Sequence, residues 1–371
     1  ESKQDLAHIP DLFAERERML QHAYDSDREL PADAPRVGIP RSLLYFDLFP
    51  FYKAFFTELG ARVVLSARTN KHIVHRGAES SVAETCFPNK VNLGHVIDLL
   101  ENKQIDYLFL PSIINLPCPD ERMTDSFVCP YVQSVPYHIR SCIDFEAYDV
   151  EVLTPQVWMA HGKKHATQQL MEVGRKLGAT PRQVRRAVEC GWQALERFQE
   201  LTRERGREVL SRLGADERAI VVVSRSYNGC DPGANLEIPQ KLRKMGVLAI
   251  PMDFLPVDEV RLPTDWFNMY WRYGQKIMSA AEIIANDDRL FPLYLTNFGC
   301  GPDSFIIQFF RERVGEKPTL IIEVDEHSAD AGMITRCEAF LDSLDATRGR
   351  QFAKGRHLRP LGIQADSQRI M

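Results

Sequence analysis

Twice along this chain, short apolar runs of strand length alternate with amphipathic helical segments, and that rhythm restricts the fold more than any other feature. The first series has strands over 36–40, 62–66 and 106–110, with helices over 49–59 and 89–101. The second has strands over 219–224, 247–251, 291–296 and 319–324, with helices over 236–244, 268–285, 304–313 and 331–344. Strands that alternate with helices predict a parallel sheet covered on both faces. Gly60 and Gly246 each follow a helix where a left-handed residue ends it. Between the two series, 155–213 is rich in Arg, Lys, Glu, Gln and Ala, with apolar residues at helical spacing and no strand signal. It reads as two or three helices. The expectation is therefore an α/β chain of two doubly wound parallel-sheet lobes joined by a helical linker.

The expected divisions are an N-terminal helical segment at 1–35, a first lobe at 36–150, the linker at 151–215, a second lobe at 216–350 and a tail at 351–371. In the N-terminal segment Leu12, Phe13, Met19, Leu20 and Ala23 recur at helical spacing before a break at Pro31 and Pro35. The two lobes share an order. Strand, Arg41-Ser42, helix, Gly60 and strand in one correspond to strand, Arg225-Ser226, helix, Gly246 and strand in the other. Duplication of one α/β unit, with a ligand site between the copies, explains this; so does the rhythm common to any two doubly wound lobes.

Composition narrows the function classes. At 371 residues the chain exceeds one ordinary core. Its 44% hydrophobic and 26% charged residues are those of a globular protein. A formal net charge of -5 lacks the basic footprint of a general nucleic-acid binder. No run approaches the ~18–20 apolar residues that span a bilayer, so no membrane partner is expected. The chain opens Glu1-Ser2-Lys3-Gln4, with neither an initiator Met nor an export leader, which reads as a stand-alone component or an excised fragment. Its 8 cysteines, spread without close pairing, fit reduced thiols or metal ligands of a cytoplasmic protein better than a disulfide framework.

Open α/β sheets bind ligands beyond the carboxyl ends of their strands. Three cysteines fall at such places. Cys86, in Thr85-Cys86-Phe87-Pro88, precedes a helix; Cys129-Pro130 opens the segment 131–140; Cys300, in Gly299-Cys300-Gly301-Pro302, stands between a strand and a helix. Glycines let a bulky group approach, and prolines suit a first helical turn. Helix N-termini favour anions, so these thiols are expected to lean towards thiolate, the metal-coordinating form. Soft thiolates favour iron–sulfur or zinc. Against this, there is no Cys-x-x-Cys pair and no ferredoxin spacing, and free cysteine is common as a small apolar residue. Cys118, between Pro117 and Pro119, is a further candidate ligand or an incidental thiol. Cys190 and Cys337 read as core fillers, Cys142 has a weak context, and Cys230 stays a spare.

Two other clusters invite a reading. Glu323 to Gly332 places Asp325, Glu326 and His327 at a strand end, fit for proton relay or cation binding. The structural alternative, which ranks higher, has Asp330 capping the last helix and Asp325 and His327 fixing the loop. Asn268 to Gln275 puts aromatics and Arg272 at a helix start, which lines either a cofactor cavity or the core.

Seven motifs together resemble a known family. They are Val37-Gly38-Ile39-Pro40-Arg41, Thr85-Cys86-Phe87-Pro88, Cys129-Pro130-Tyr131-Val132-Gln133, Tyr227-Asn228 with Asp231-Pro232-Gly233, Asn268 to Gln275, Asn297 to Phe305, and Asp325 to Phe340. They resemble the C-terminal region of acyl-CoA dehydratase activase-related proteins. That region is itself similar to subunits of 2-hydroxyacyl-CoA dehydratases, benzoyl-CoA reductases and double-cubane cluster proteins. The resemblance spans about 36–345. It implies two Rossmann-like lobes holding an iron–sulfur cluster, of 4Fe-4S type, through Cys86, Cys129 and Cys300. The fourth iron position falls to Cys118, another protein group, water or substrate.

The resemblance also implies an ATP-hydrolysing activase of actin-like fold, in cis or in trans, that delivers low-potential electrons. A homodimer is left open. No glycine-rich phosphate loop of the activase kind occurs here. The leading expectation is thus an iron–sulfur redox component. The alternatives are an acyl-CoA dehydratase or reductase subunit that binds substrate at an open cluster iron, and a non-catalytic zinc or apo scaffold.

Overall fold

The structure, a computed structural model, describes residues 9–26 and 29–351. The expected tail at 351–371 lies outside the described residues from 352 onwards. α1 (Leu12–His22) leads, its first turn capped by the Asp11 carboxylate, which accepts from the Ala14 N–H at 3.0 Å. The first lobe then runs β1 (Arg36–Ile39), α2 (Tyr45–Glu58), β2 (Arg62–Leu65), α3 (Lys71–Ser80), α4 (Phe87–Asn102), β3 (Tyr107–Phe109), β4 (Ser112–Asn115), α5 (Pro130–Gln133), α6 (Val135–Cys142), β5 (Glu151–Leu153) and β6 (Gln156–Trp158). Two helices follow, α7 (Gly162–Lys176) and α8 (Pro181–Arg212). The second lobe is β7 (Ala219–Val223), α9 (Ser226–Gly229), α10 (Ile238–Lys244), β8 (Leu248–Pro251), α11 (Arg272–Asn286), β9 (Leu290–Asn297), α12 (Gly301–Val314), β10 (Leu320–Val324) and α13 (Asp330–Gln351).

Each lobe is built on a four-stranded parallel sheet flanked by helices, ordered β2-β1-β3-β5 in the first and β10-β9-β7-β8 in the second. The fold is α/β with Rossmann-like lobes, as the alternation predicts. Both sheets have one topology: the second and third strands flank the first, and the fourth lies beyond the third. β7 is buried along its whole length, as a central strand covered on both faces must be. β4 and β6 make a separate parallel pair.

The structure corrects the sequence reading at several elements. The segment 151–215 is not helical throughout: β5 completes the first sheet and β6 pairs with β4. Three residues are too few to display a period of two. α3 and β4 lie in stretches that had no assignment, and α11 begins at Arg272, not at 268, because Trp271 is tied to Phe127 in a strand-like bridge.

α2 starts at Tyr45, four residues before its expected start, which leaves Pro50 inside the helix. A proline there cannot donate to the carbonyl four residues earlier, that of Phe46. Arg16 takes the place of the missing donor. Its Nη2 donates to the Phe46 carbonyl at 3.0 Å while its Nε donates to Asp253 at 2.8 Å. Arg16 is 1% exposed and lies over the Phe198 ring at 5.2 Å. α1 thereby ties a first-lobe helix to a second-lobe turn.

α8 opens with a capping box, Thr180 with Gln183, and a proline at its first position. It buries Val184, Ala187, Val188, Gly191, Ala194, Leu195, Phe198 and Thr202 along one face. At the crossing of α3 and α4 the backbones nearly touch: a Cβ on Gly77 would run into the Lys90 carbonyl, and one on Gly94 into that of Ile73. Only glycine permits this approach.

A buried hydrogen-bond chain joins the lobes. The Arg41 N–H donates to Ser66 Oγ (2.9 Å), which lies 2.8 Å from His95 Nδ1. His95 Nε2 lies 2.8 Å from Thr69 Oγ1, which donates to Asp231 Oδ2 at 2.5 Å. An ionised Asp231 only accepts, so Thr69 accepts from a protonated Nε2 and Ser66 donates to Nδ1. Burial pushes the imidazole down to about 3 and the Asp231 carboxyl up to about 6.

Candidate functional site

Cys86, Cys129 and Cys300 are the N-cap residues of α4, α5 and α12. Each has a proline within the next two positions, and none makes a capping bond with its side chain. Asp11, Asn70 and Thr180 cap their helices with side chains, whereas Leu44, Ser134, His161, Arg225, Glu237 and Trp271, like the three cysteines, do not. The prolines after the cysteines lower the need for a cap, because they remove an amide from the first turn.

The three thiols are free, partly buried, and gathered around one residue. Tyr227, 7% exposed on α9, lies within electrostatic reach of Cys86, Cys129 and Cys300 together with Arg225. Cys118 is not in that group: its thiol donates to the Asp120 carbonyl at 3.7 Å. Burial pushes the Cys86 thiol up to about 11 and the Cys300 thiol up to about 12. This overturns the expectation of a thiolate set by the helix end alone. At Cys86 and Cys300 desolvation outweighs the helix N-terminus, so these two sulfurs stay protonated near neutral pH.

The second lobe supplies the charge. β7 and β9 are the neighbours between which the sheet reverses its strand order, the crevice where open sheets take ligands. Arg225 and Tyr227 follow β7; Cys300 follows β9. Asn228 Nδ2 donates to Asn297 Oδ1 at 3.0 Å and staples the two loops. Arg225 is 3% exposed, and its Nη1 lies 2.5 Å from Asp303 Oδ2, off the hydrogen-bond line. Asp303 also accepts from the Tyr294 hydroxyl (3.0 Å) and the Thr296 hydroxyl (2.5 Å). Burial works against the Arg225 charge, but Asp303, Tyr227 and Cys300 hold it protonated far above any working pH. Arg225 in turn acts on the Cys86 and Cys300 thiols to favour their anions.

Beneath Tyr227 its ring meets Tyr273 edge-on at 5.8 Å. Tyr273 and Ser226 share a 2.6 Å bond and both reach the Asp47 carboxylate. Val82, Tyr131, Phe298 and Phe305, each within five residues of a site cysteine in the sequence, are between 44% and 67% exposed, and the side chain of the charged Glu84, beside Cys86 in the sequence, is 87% exposed.

The remaining candidates separate. Cys337 is a buried filler of the second-lobe core. Cys190, on α8, is only partly buried. Asp325 accepts from the His327 N–H (3.0 Å) and the Ser328 hydroxyl (2.8 Å), which is loop fixing. The expected cap at Asp330 falls on a side chain outside those described. Glu326 instead reaches Lys90 of α4 at 2.7 Å. Arg272 donates to the Pro117 carbonyl (2.8 Å) and pairs with Asp258, while Gln275 donates to the Asp125 carbonyl at 2.7 Å. The 268–275 motif therefore clamps the 117–127 segment to the second lobe.

Among the described residues, no group of three or more His, Cys, Asp or Glu side chains forms a ready single-ion site. Sequence reasoning missed Arg225 and Asp303 as site residues. The available signal was a lone charge directly after a five-residue buried strand.

No curated protein matches the chain. Among solved structures, a manganese-bound mutant of a periplasmic metal-binding protein from Candidatus Liberibacter asiaticus matches at 9% identity, over 84% of this chain and 99% of that one, with a TM-score of 0.23. Glucosamine-6-phosphate deaminase from Thermotoga maritima matches at 10% identity, over 91% and 93%, with a TM-score of 0.19. Likenesses this slight carry no weight. Among the described residues, no helix is long and apolar enough to cross a membrane. Residues 36–255, more than half of the chain, match the CoA enzyme activase uncharacterised domain; Cys86, Cys129, Arg225 and Tyr227 lie within the match and Cys300 beyond it. On that match, the chain belongs to the CoA enzyme activase uncharacterised domain family.

Proposed function

We propose that this chain is an iron–sulfur redox component that receives low-potential electrons from an ATP-dependent activase, with Cys86, Cys129 and Cys300 as the protein ligands. The observation that carries the reading is that Cys86, Cys129 and Cys300, each at the N-terminus of a different helix, all lie within electrostatic reach of Tyr227. A 4Fe-4S group bound there would supply one-electron chemistry at a potential set by its surroundings. Arg225, buried and paired with Asp303, offers positive charge to thiolates from two of the helices. Tyr227 and the packed loops behind it keep water from one side. Val82, Tyr131, Phe298 and Phe305, exposed apolar side chains near the cysteines in sequence, offer contacts to a protein partner. Family membership supports an activase as that partner.

The test is iron, acid-labile sulfide and zinc content of protein prepared without oxygen. About four irons and four sulfides per chain are expected. Cys86→Ala, Cys129→Ala and Cys300→Ala should each lose iron, and Cys190→Ala should keep it. Stoichiometric zinc, or equal iron in all four variants, overturns the assignment.

A further inference from the structure

The first lobe has its own switch point, between β1 and β3, and a cavity of about 60 Å³ lies at the carboxyl ends of these two strands. Its walls come from Ile39, Leu43, Phe49, Phe109 and Val132, among others, and no charged side chain lines it. Three side-chain donors on its lining have no hydrogen-bond partner: the Tyr45 and Tyr52 hydroxyls and Asn92 Nδ2. Tyr52 is 5% and Asn92 3% exposed. A buried donor is costly to leave without an acceptor, and these stand in one cavity. Asn92 Oδ1 is already taken by the Ser42 hydroxyl at 2.6 Å, which leaves the amide N–H groups to spare. Burial holds the Tyr52 hydroxyl protonated, so its O–H is available to an acceptor.

We propose that this cavity binds a small uncharged molecule through a carbonyl oxygen, which accepts from the Tyr52 hydroxyl and Asn92 Nδ2 while its apolar part fills the space between Phe49, Phe109 and Val132. The absence of a lining cation disfavours a carboxylate or phosphate, which would enter unpaired. The size sets the class: the volume suits a few water positions or a molecule of about four heavy atoms. The inference does not rest on the metal reading, and its test reads equally with or without iron.

The test is a titration of the full chain, labelled at Leu, Val and Ile methyls, with acetone and with isobutene, which has the same shape but no acceptor. Acetone is expected to give saturable shifts at Leu110, Ile113 and Val132 and to bind at least about tenfold more tightly than isobutene. Tyr52→Phe keeps the ring and removes only the hydroxyl, so it should fold normally and bind acetone about tenfold more weakly. Equal binding of the two probes makes the cavity a plain apolar void and overturns the proposal. So does the absence of saturation by either probe, which means water only, or an unchanged affinity in Tyr52→Phe.

Discussion

Arg16→Met should unfold this protein more readily than its place in a short N-terminal helix suggests, and Pro50→Ala should rescue it. Removing the guanidinium orphans the buried Phe46 carbonyl, which costs about 1–3 kcal/mol. Asp253 loses its ion pair; its side chain is 25% exposed, so water replaces most of that contact and the loss is about 1 kcal/mol. The contact with the Phe198 ring adds about 1 kcal/mol. The expected total is about 3–5 kcal/mol, a large part of the stability of an ordinary domain. Alanine at position 50 restores the N–H that α2 lacks and returns a donor to the same carbonyl. Urea unfolding of the wild type, both single variants and the double variant measures the coupling. We expect about 1–3 kcal/mol of favourable coupling. A coupling within about 0.5 kcal/mol of zero would refute the idea that Arg16 substitutes for the proline's missing amide.

Asp303→Asn leaves Arg225 buried without its anion and should cost about 3–5 kcal/mol in urea unfolding; Arg225→Met in the same chain should recover most of it. Asp231 gives a pH signature. Its folded value, about 6, lies above the ordinary 3.8, so its stabilising contribution is full below pH 4 and is lost as pH rises through 6. The Asp231→Asn profile should therefore gain on the wild type by about 3 kcal/mol between pH 4 and 7, with the opposite slope from His95 common to both proteins; parallel profiles would sink the claim. Gly94→Ala should destabilise by at least about 1–3 kcal/mol, because the obstacle is the Ile73 backbone and no rotamer change relieves it; a neutral result would mean that the two helices can part.

The two-lobe α/β plan was readable because β7 to β10 and β1 to β3 are apolar runs set between helices, a pattern that survives without tertiary knowledge. β5 and β6 were not, since three residues show no periodicity and gain their state from β3 and β4. The start of α2 was misplaced because Pro50 reads as a first-turn residue, and the donor that permits it inside the helix comes from position 16. The three cysteines could be picked out as residues before helices. Their shared neighbour Tyr227, and the Arg225–Asp303 pair, depend on how one lobe faces the other, which no local pattern encodes. His95 sits in the buried stretch of α4, and the chain it joins, Ser66, Thr69 and Asp231, comes from two lobes.

The close crossing of α3 and α4 has a mechanical meaning. With backbone against backbone at Gly77 and Gly94, the two helices form a stiff beam with no side chains between them to yield. Thr69, one residue ahead of the Asn70 cap of α3, fastens one end of the beam to Asp231 in the second lobe. The other end carries Cys86. Near that other end Lys90, four residues past Cys86, pairs with Glu326 of the second lobe, so the beam is held to that lobe at both ends and keeps Cys86 in step with the lobe that carries Cys300.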